Sequence, residues 1–474
     1  MESIQAYLDI IDPRLLHHVR GKMGEFIRVF QSQKFLSEEA FIVHFCGAKY
    51  SRKQYQNLKS RTLKILQAFA LISAAQDTNW VKKKLDLCRK NFAIGQKLLG
   101  KNERNEGLRL IKQAYRIAVR YNFVHMACEL STTLFHNHVY YEGKPSQIDH
   151  YSQLVENHLQ DYWAEKKVEH HFYKIIGQMK LSTKTIQFEE VLGEIGHLKG
   201  KSIKSITYLS MIEIMYGLEI KDYDLIVNTC QGALDFLNGK RGVYSSHYHF
   251  FYTNLGVAQM AMTQYQKAEA CFVEANNHAP AKSVNQYLSL LYQTVNALHS
   301  GNYPKAYELF QQNKNCKFKE IRQQFTLIEA YLCFLSHMGY LQLNKKFRLG
   351  KFLNETLKEQ ADKQGSNIVI LIAELLVYLA RNRGKFIDRI ESISNYSYRH
   401  LTGKDTMRAK RFIRILCTFP SANFNPTAIQ RKAQKHIQYL REHPISMGEN
   451  IAIEIIPFED LLDMILVQLA RRVA

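Results

Sequence analysis

An all-α fold is predicted by three observations. Proline is scarce, with eight in 474 residues and none between Pro145 and Pro280; proline breaks helix interiors, so such stretches favour helices. Apolar residues recur at helical spacing, as in Phe458, Leu461, Leu462, Ile465 and Leu469 near the C-terminus, which fall on one face of a helix. Small and large residues also stand at fixed separations in mid-chain, with Gly256 and Ala268 small and Phe272 large. That is what two closely crossing antiparallel helices require.

Taken in order, residues 1–76 read as an N-terminal helical module. Three or four helices are expected there, around Pro13–Ser32, Ser37–Phe45 and Arg52–Ile72. Ser37 followed by Glu38 and Glu39 is suited to an N-cap and an acidic first turn. Such a module fits a capping bundle or a small helix-turn-helix-like unit. Residues 77–402 read as successive helical hairpins, and residues 403–474 as C-terminal capping helices that cover the last hairpin; docking of the last helix onto a partner is the alternative.

The best-defined hairpin is 248–280, YHFFYTNLGVAQMAMTQYQKAEACFVEANNHAP. Tyr252, Leu255, Gly256, Tyr265, Ala268, Phe272, Ala275 and Pro280 hold the positions that define the tetratricopeptide (TPR) repeat, a helix-turn-helix unit of about 34 residues. The segment therefore resembles that family. Gln259 departs from it, where the family prefers an aromatic. The next unit keeps Tyr303, Ala306 and Phe310 after a Gly301-Asn302 turn; upstream, Tyr223 and Ala233, and Gly107, Ile111 and Ala114, retain fragments. The resemblance implies a TPR-like right-handed α-α superhelix, or solenoid. It also implies that helix A of each repeat lines a groove, here through Phe250, Thr253, Val257, Met260 and Ala261, with Leu291 and Val295 in the next hairpin. The Lys and Asn with which some members grip a terminal carboxylate are replaced by Thr253 and Val257. An apolar groove of this kind suits an amphipathic helix or extended apolar segment, or else is filled by the N- or C-terminal elements of the same chain.

Composition narrows the setting. No run of about 18 uncharged apolar residues occurs, so no membrane span is expected. The N-terminus lacks a basic region followed by an apolar one, so no signal peptide is read. Eight cysteines without a C-x-x-C pair fit reduced thiols in a cytoplasmic protein.

Motifs for chemistry are weak. Gly196-His-Leu-Lys-Gly-Lys-Ser202 approximates a P-loop, but its first glycine is one residue too close and the preceding FEEVLGEI reads as helix, not strand. His136 and His138 with Glu142, His170 with His171, and His247 with His249 stand at spacings that splay the rings, whereas helical zinc ligands usually sit at i, i+4. No cofactor and no catalytic residue is assigned, and the chain is not expected to be an enzyme. An enzyme with an unrecognised site between repeats is the third-ranked alternative.

Net charge is +21, and it is clustered. Between Ser51 and Arg120 there are 17 Lys/Arg against four Asp/Glu. Lys82, Lys83, Lys84, Arg89 and Lys90 fall in one segment, while Arg109, Lys112, Arg116 and Arg120 form a stripe along one helix face. A second cluster at 399–441 has ten Lys/Arg against Asp405 alone. The first expectation for function is a non-enzymatic scaffold or adaptor that binds a protein or peptide along a helical-repeat surface. The alternative is a protein that binds nucleic acid or another polyanion through these clusters.

Overall fold

The computed structural model describes residues 2–9, 11–32, 38–46, 52–72, 79–143, 145–181, 186–314, 316–343, 347–350, 352–353, 366–401, 406–443, 445 and 454–471. The expected cap Ser37, the side chain of Glu142 and Asp405 lie outside the described residues. Among the described residues the protein is all-α, with 22 α-helices and no strand. They are α1 (Glu2–Leu8), α2 (Pro13–Leu16), α3 (Gly21–Ser32), α4 (Glu38–Cys46), α5 (Arg52–Ile72), α6 (Trp80–Leu99), α7 (Arg104–Arg120), α8 (Val124–Asn137), α9 (Pro145–Leu181), α10 (Phe188–Ile195) and α11 (Ile203–Ile220). There follow α12 (Tyr223–Leu237), α13 (Ser245–Ala261), α14 (Tyr265–Asn277), α15 (Val284–His299), α16 (Tyr303–Asn313), α17 (Lys319–His337), α18 (Ser366–Arg381), α19 (Arg383–His400), α20 (Met407–Ser421), α21 (Pro426–Glu442) and α22 (Phe458–Arg471). None is long and apolar enough to cross a membrane. The chain divides into two compact units. The first is Met1–Ile186 with Gly193–Tyr208 and Leu237–Tyr244; the second is Gln187–Leu192 with Leu209–Phe236 and Ser245–Ala474.

In the first unit, the expected helix over 13–32 is two helices. Gly21 adopts φ +66°, a conformation that suits glycine, and the Val19 carbonyl lies where a Cβ on Gly24 would sit, 2.2 Å away. The chain therefore turns between α2 and α3. Phe26, Phe41 and Tyr55 are fully buried, with Phe26 edge-on to Phe41 at 4.9 Å. Glu38 accepts hydrogen bonds from Lys59 Nζ (2.6 Å) and Tyr55 Oη (3.0 Å), and the Lys59 bond holds its carboxyl below the usual range against the opposing effect of burial.

The α6–α7 hairpin crosses on glycine. A Cβ on Gly95 would come within 2.8 Å of Ile111 Cδ1, and one on Gly107 within 3.0 Å of the Leu99 side chain. Val81, Cys88, Ile111, Ala114 and Ala118 form one buried cluster with Leu130 of α8.

The turn glycine Gly242 sits against the Tyr121 carbonyl, 1.9 Å from where a Cβ would be, whereas Gly177 in α9 has open space. Gly242→Ala is therefore expected to cost about 1–3 kcal/mol through backbone displacement. Gly177→Ala should add roughly 0.5–1 kcal/mol through the reduced freedom of the unfolded chain. Urea melts of the two variants check the pair; equal shifts would refute the placement of Gly242.

In the second unit, each helix from α13 to α22 packs against the next in sequence, and α15 also touches α13 and α17. This ladder of neighbours follows from small residues set opposite large ones. A Cβ on Gly256 would lie 2.6 Å from the Phe272 ring, and one on Gly217 of α11 lies 2.7 Å from Ile226 of α12. Ala268, Phe272 and Ala275 are fully buried and Leu255 nearly so, while Tyr252 and Tyr265 are half-buried and Pro280 is exposed beyond the end of α14. Phe334, Phe386, Phe412 and Phe419 extend the same core toward the C-terminus. Phe458, Leu461, Leu462, Ile465 and Leu469 of α22 are all buried within it.

Candidate functional site

The positions read as groove-facing are largely enclosed. Thr253 (7%), Val257 (8%), Met260 (1%) and Val295 (3%) are buried, and Phe250 and Leu291 are half-buried. Thr253 spends its hydroxyl on the His249 carbonyl, 2.7 Å away. Val257, Met260 and Val295 belong to the apolar core that also contains Ile455, Ile456 and Phe458.

The segment that begins at Glu454 is tied down by polar bonds. His299 Nε2 lies 3.0 Å from the Glu454 carbonyl oxygen, which fixes the proton on that nitrogen. Burial pushes the His299 imidazole down to about 4. Arg408 of α20 donates from Nε and Nη2 to both carboxylate oxygens of Glu454 (2.6 and 3.0 Å) and from Nη2 to Glu459 (2.6 Å). Its Nη1 serves the carbonyls of Leu440 (2.8 Å) and His443 at the end of α21. Burial opposes the charge on Arg408, but the hydrogen bonds to Glu454 and Glu459 outweigh it and hold the guanidinium protonated. The Phe458 ring stacks on Phe412 at 4.5 Å.

An open groove of about 730 Å³ lies between α21 and α22. One face of α21 forms its wall, with Gln430, Gln434 and Gln438 one turn apart and Arg431 and Arg441 beside them; Ile437, Leu462 and Leu466 supply its apolar floor. Arg441 reaches Asp463 only at 4.0 Å, with both side chains about two-thirds exposed. Such a pair is worth little in water, and Glu442 also lines the groove, so its rim offers two cations and two anions to an incoming segment.

The cations of the first unit face solvent. On α7 the buried residues are Gly107, Ile111, Ala114 and Ala118. At ~100° per residue, Arg109, Lys112, Arg116 and Arg120 point the opposite way. Arg109, Arg116 and Arg120 are exposed and Lys112 half-buried; on α6, Lys82, Lys83, Arg89 and Lys90 are exposed and Lys84 half-buried. Burial, followed by the charges of Lys204, Arg89 and Lys166, holds His125 below its ordinary range. The 399–441 cluster is more divided. Arg408 is consumed by its carboxylates, Arg411 lies over the Tyr439 ring at 4.8 Å, and Lys410 serves the Leu401 carbonyl at 3.1 Å.

The remaining motifs take structural places. Gly196–Leu198 is a short 3₁₀ turn after helix α10. Ser202 donates its hydroxyl to the buried Glu165 and accepts from the Ser205 backbone, at 2.9 and 3.0 Å. His138 is buried and stacks on Tyr151, whereas His136 is exposed. His171 lies 3.6 Å from Glu194, and His249 Nε2 lies 3.0 Å from the Asn285 carbonyl. Among the described residues no three His, Cys, Asp or Glu side chains are gathered so as to hold a metal ion.

One set of surface residues escaped the sequence reading. Trp80, Leu87 and Ile94 of α6 are 46%, 40% and 40% exposed and recur every seven residues. The signal was present as that period, but the apolar stripe of the hairpin core on the same helix obscured it. No protein-family model matches the chain and no curated protein is similar to it.

Proposed function

We propose that the protein is a non-catalytic adaptor of the TPR-like, right-handed superhelical class, and that it holds a protein partner in the groove between α21 and α22. The shape and chemistry of that groove carry the reading. An apolar floor from Ile437, Leu462 and Leu466 anchors one or two side chains, and arginines and glutamines on the wall bind carboxylates and amides. This division into anchor and polar rim is how grooves between helices recognise a short helix or extended segment. The sequential hairpins of the second unit supply the rigid support, and the enclosure of Val257, Met260 and Val295 moves the reading from the inner groove to this outer one. The rim carries Arg431 and Arg441 beside Glu442 and Asp463, so the partner segment presents carboxylates to the arginines and amide or cationic groups to the two acids.

A second reading, binding of a polyanion, is favoured by the outward stripe Arg109, Lys112, Arg116 and Arg120. One experiment separates the two. A photo-crosslinking benzoylphenylalanine replaces Gln434, or Glu391 as an exposed control, and the full chain is irradiated in its native cell. Discrete protein adducts at 434, absent at 391 and lost on Arg431→Glu/Arg441→Glu, are expected. The same adducts from both positions, or indifference to charge reversal, would refute the groove; nucleic acid in the adducts would favour the second reading.

A further inference from the structure

We propose that α6 carries a docking face for an acidic amphipathic helix of another protein, seated on the row Trp80, Leu87 and Ile94 and flanked by the row Lys83, Lys90 and Lys97. The proposal rests on the reading of the chain as a binding protein, but it uses other residues.

Helix α6 is apolar on two sides. Val81, Leu85, Cys88, Phe92, Gly95 and Leu99 face the hairpin core. Trp80, Leu87 and Ile94 lie roughly 100–140° round the axis from that direction, and all three keep at least 40% of their surface in solvent. Trp80 is held at the head of the row by edge-on contact with Tyr121 at 4.9 Å. Single exposed apolar residues need no explanation, but three in a row at an interval of seven form a narrow seam about 21 Å long. A seven-residue interval is the one at which the side chains of one helix stay in register with a second helix laid alongside.

Charge selects the partner. Lys83, Lys90 and Lys97 repeat the interval three residues on, about 60° round the helix. All three are exposed, and none makes an ion pair among the described residues. A helix packed on the seam meets these ammonium groups at the positions that fix partner choice in helix pairs, so it must present Asp or Glu there. A second copy of this chain would set lysine rows close to one another and is disfavoured. A membrane surface calls for a broad apolar face, whereas this seam is one side chain wide, bounded by lysines on one edge.

The chain contains two tryptophans, Trp80 and Trp163, so Trp163→Phe leaves Trp80 as the sole indole reporter. The full chain in this background is titrated with a synthetic helical peptide of heptads bearing Leu at a and d and Glu at e and g. A saturable blue shift of Trp80 emission is expected. It should weaken at least about ten-fold in Lys83→Glu/Lys90→Glu/Lys97→Glu, since like charges oppose docking, and a peptide with Lys in place of Glu should regain affinity for that variant. Leu87→Glu, at an exposed position, should abolish the shift while the circular-dichroism melt is unchanged. The proposal is overturned by absence of a shift, by equal binding of acidic and basic peptides to the unreversed seam, or by a larger shift with phosphatidylcholine–phosphatidylglycerol vesicles. A peptide-independent shift that grows with protein concentration would assign the seam to a second copy instead. Crosslinks from position 434 that persist in Leu87→Glu show the α21–α22 reading to stand whatever becomes of this one.

Discussion

Arg408→Met is expected to lower the unfolding free energy by about 3–5 kcal/mol, the usual cost of removing one partner from a buried ion pair. The reason lies in what the substitution leaves behind. Glu454 is only 4% exposed, and without Arg408 its remaining donor among the described residues is the Phe458 backbone N–H at 3.2 Å. The carbonyls of Leu440 and His443 lose their donor as well. Replacing both charges, as Arg408→Met/Glu454→Met, should recover only the share due to the uncompensated Glu454 carboxylate, since Glu459 and the carbonyls of Leu440 and His443 still lack the donor that Arg408 supplied. Arg408→Lys should fall between, since one ammonium cannot serve two carboxylates and two carbonyls in a planar fork. Guanidinium denaturation of the three variants reads the effect. A loss below about 1 kcal/mol for Arg408→Met, of the size seen for exposed pairs, would refute a buried role.

This network also marks the limit of what the sequence discloses. Gly256, Ala268 and Phe272 were legible because a close helix crossing demands small residues opposite a large one, and the demand is met within a single hairpin. The α22 face was legible because its period of 3.6 is a local property of the helix. Arg408 and Glu454 are 46 residues apart, and nothing in the neighbourhood of either predicts the other; Arg408 reads as one more cation in a basic stretch. Likewise the apolar character of Val257, Met260 and Val295 was plain, but that they are buried in one core with residues as distant as Phe458 is not encoded in any local pattern. In the N-terminal module, where three or four helices were expected, a single positive φ at Gly21 splits a run that helical pattern alone joins. On α6 the difficulty was of another kind. Two apolar rows share one helix, the buried one dominates the period, and the exposed one emerges only when burial is known.

Stability should fall as the pH is lowered from about 6.5 toward 4, and His299 is expected to carry a defined share of the loss. Its imidazole is 5% exposed and bonded to the Glu454 carbonyl, and burial depresses its pKa to about 4. An unfolded chain takes up a proton at His299 near the ordinary value of about 6.5, while the folded chain does not until far lower. Between those limits the unfolded state binds more protons, so acid favours unfolding. The stabilising contribution is whole above about pH 6.5, is lost progressively below it, and declines no further below about 4. At pH 4.5 the loss from this one group is roughly 2–3 kcal/mol. His299→Gln keeps an N–H donor for the carbonyl and removes the titration. It should therefore be less stable than the parent at pH 7.5, through imperfect packing, yet narrow or reverse that gap at pH 4.5. Subtracting one denaturation series from the other cancels every carboxylate and histidine the two proteins share, including the buried His247, which burial likewise holds at about 4. Parallel curves for the two proteins across this range would mean that His299 is charged in the fold, and that its bond to Glu454 is not the neutral contact that holds the segment before α22 in place.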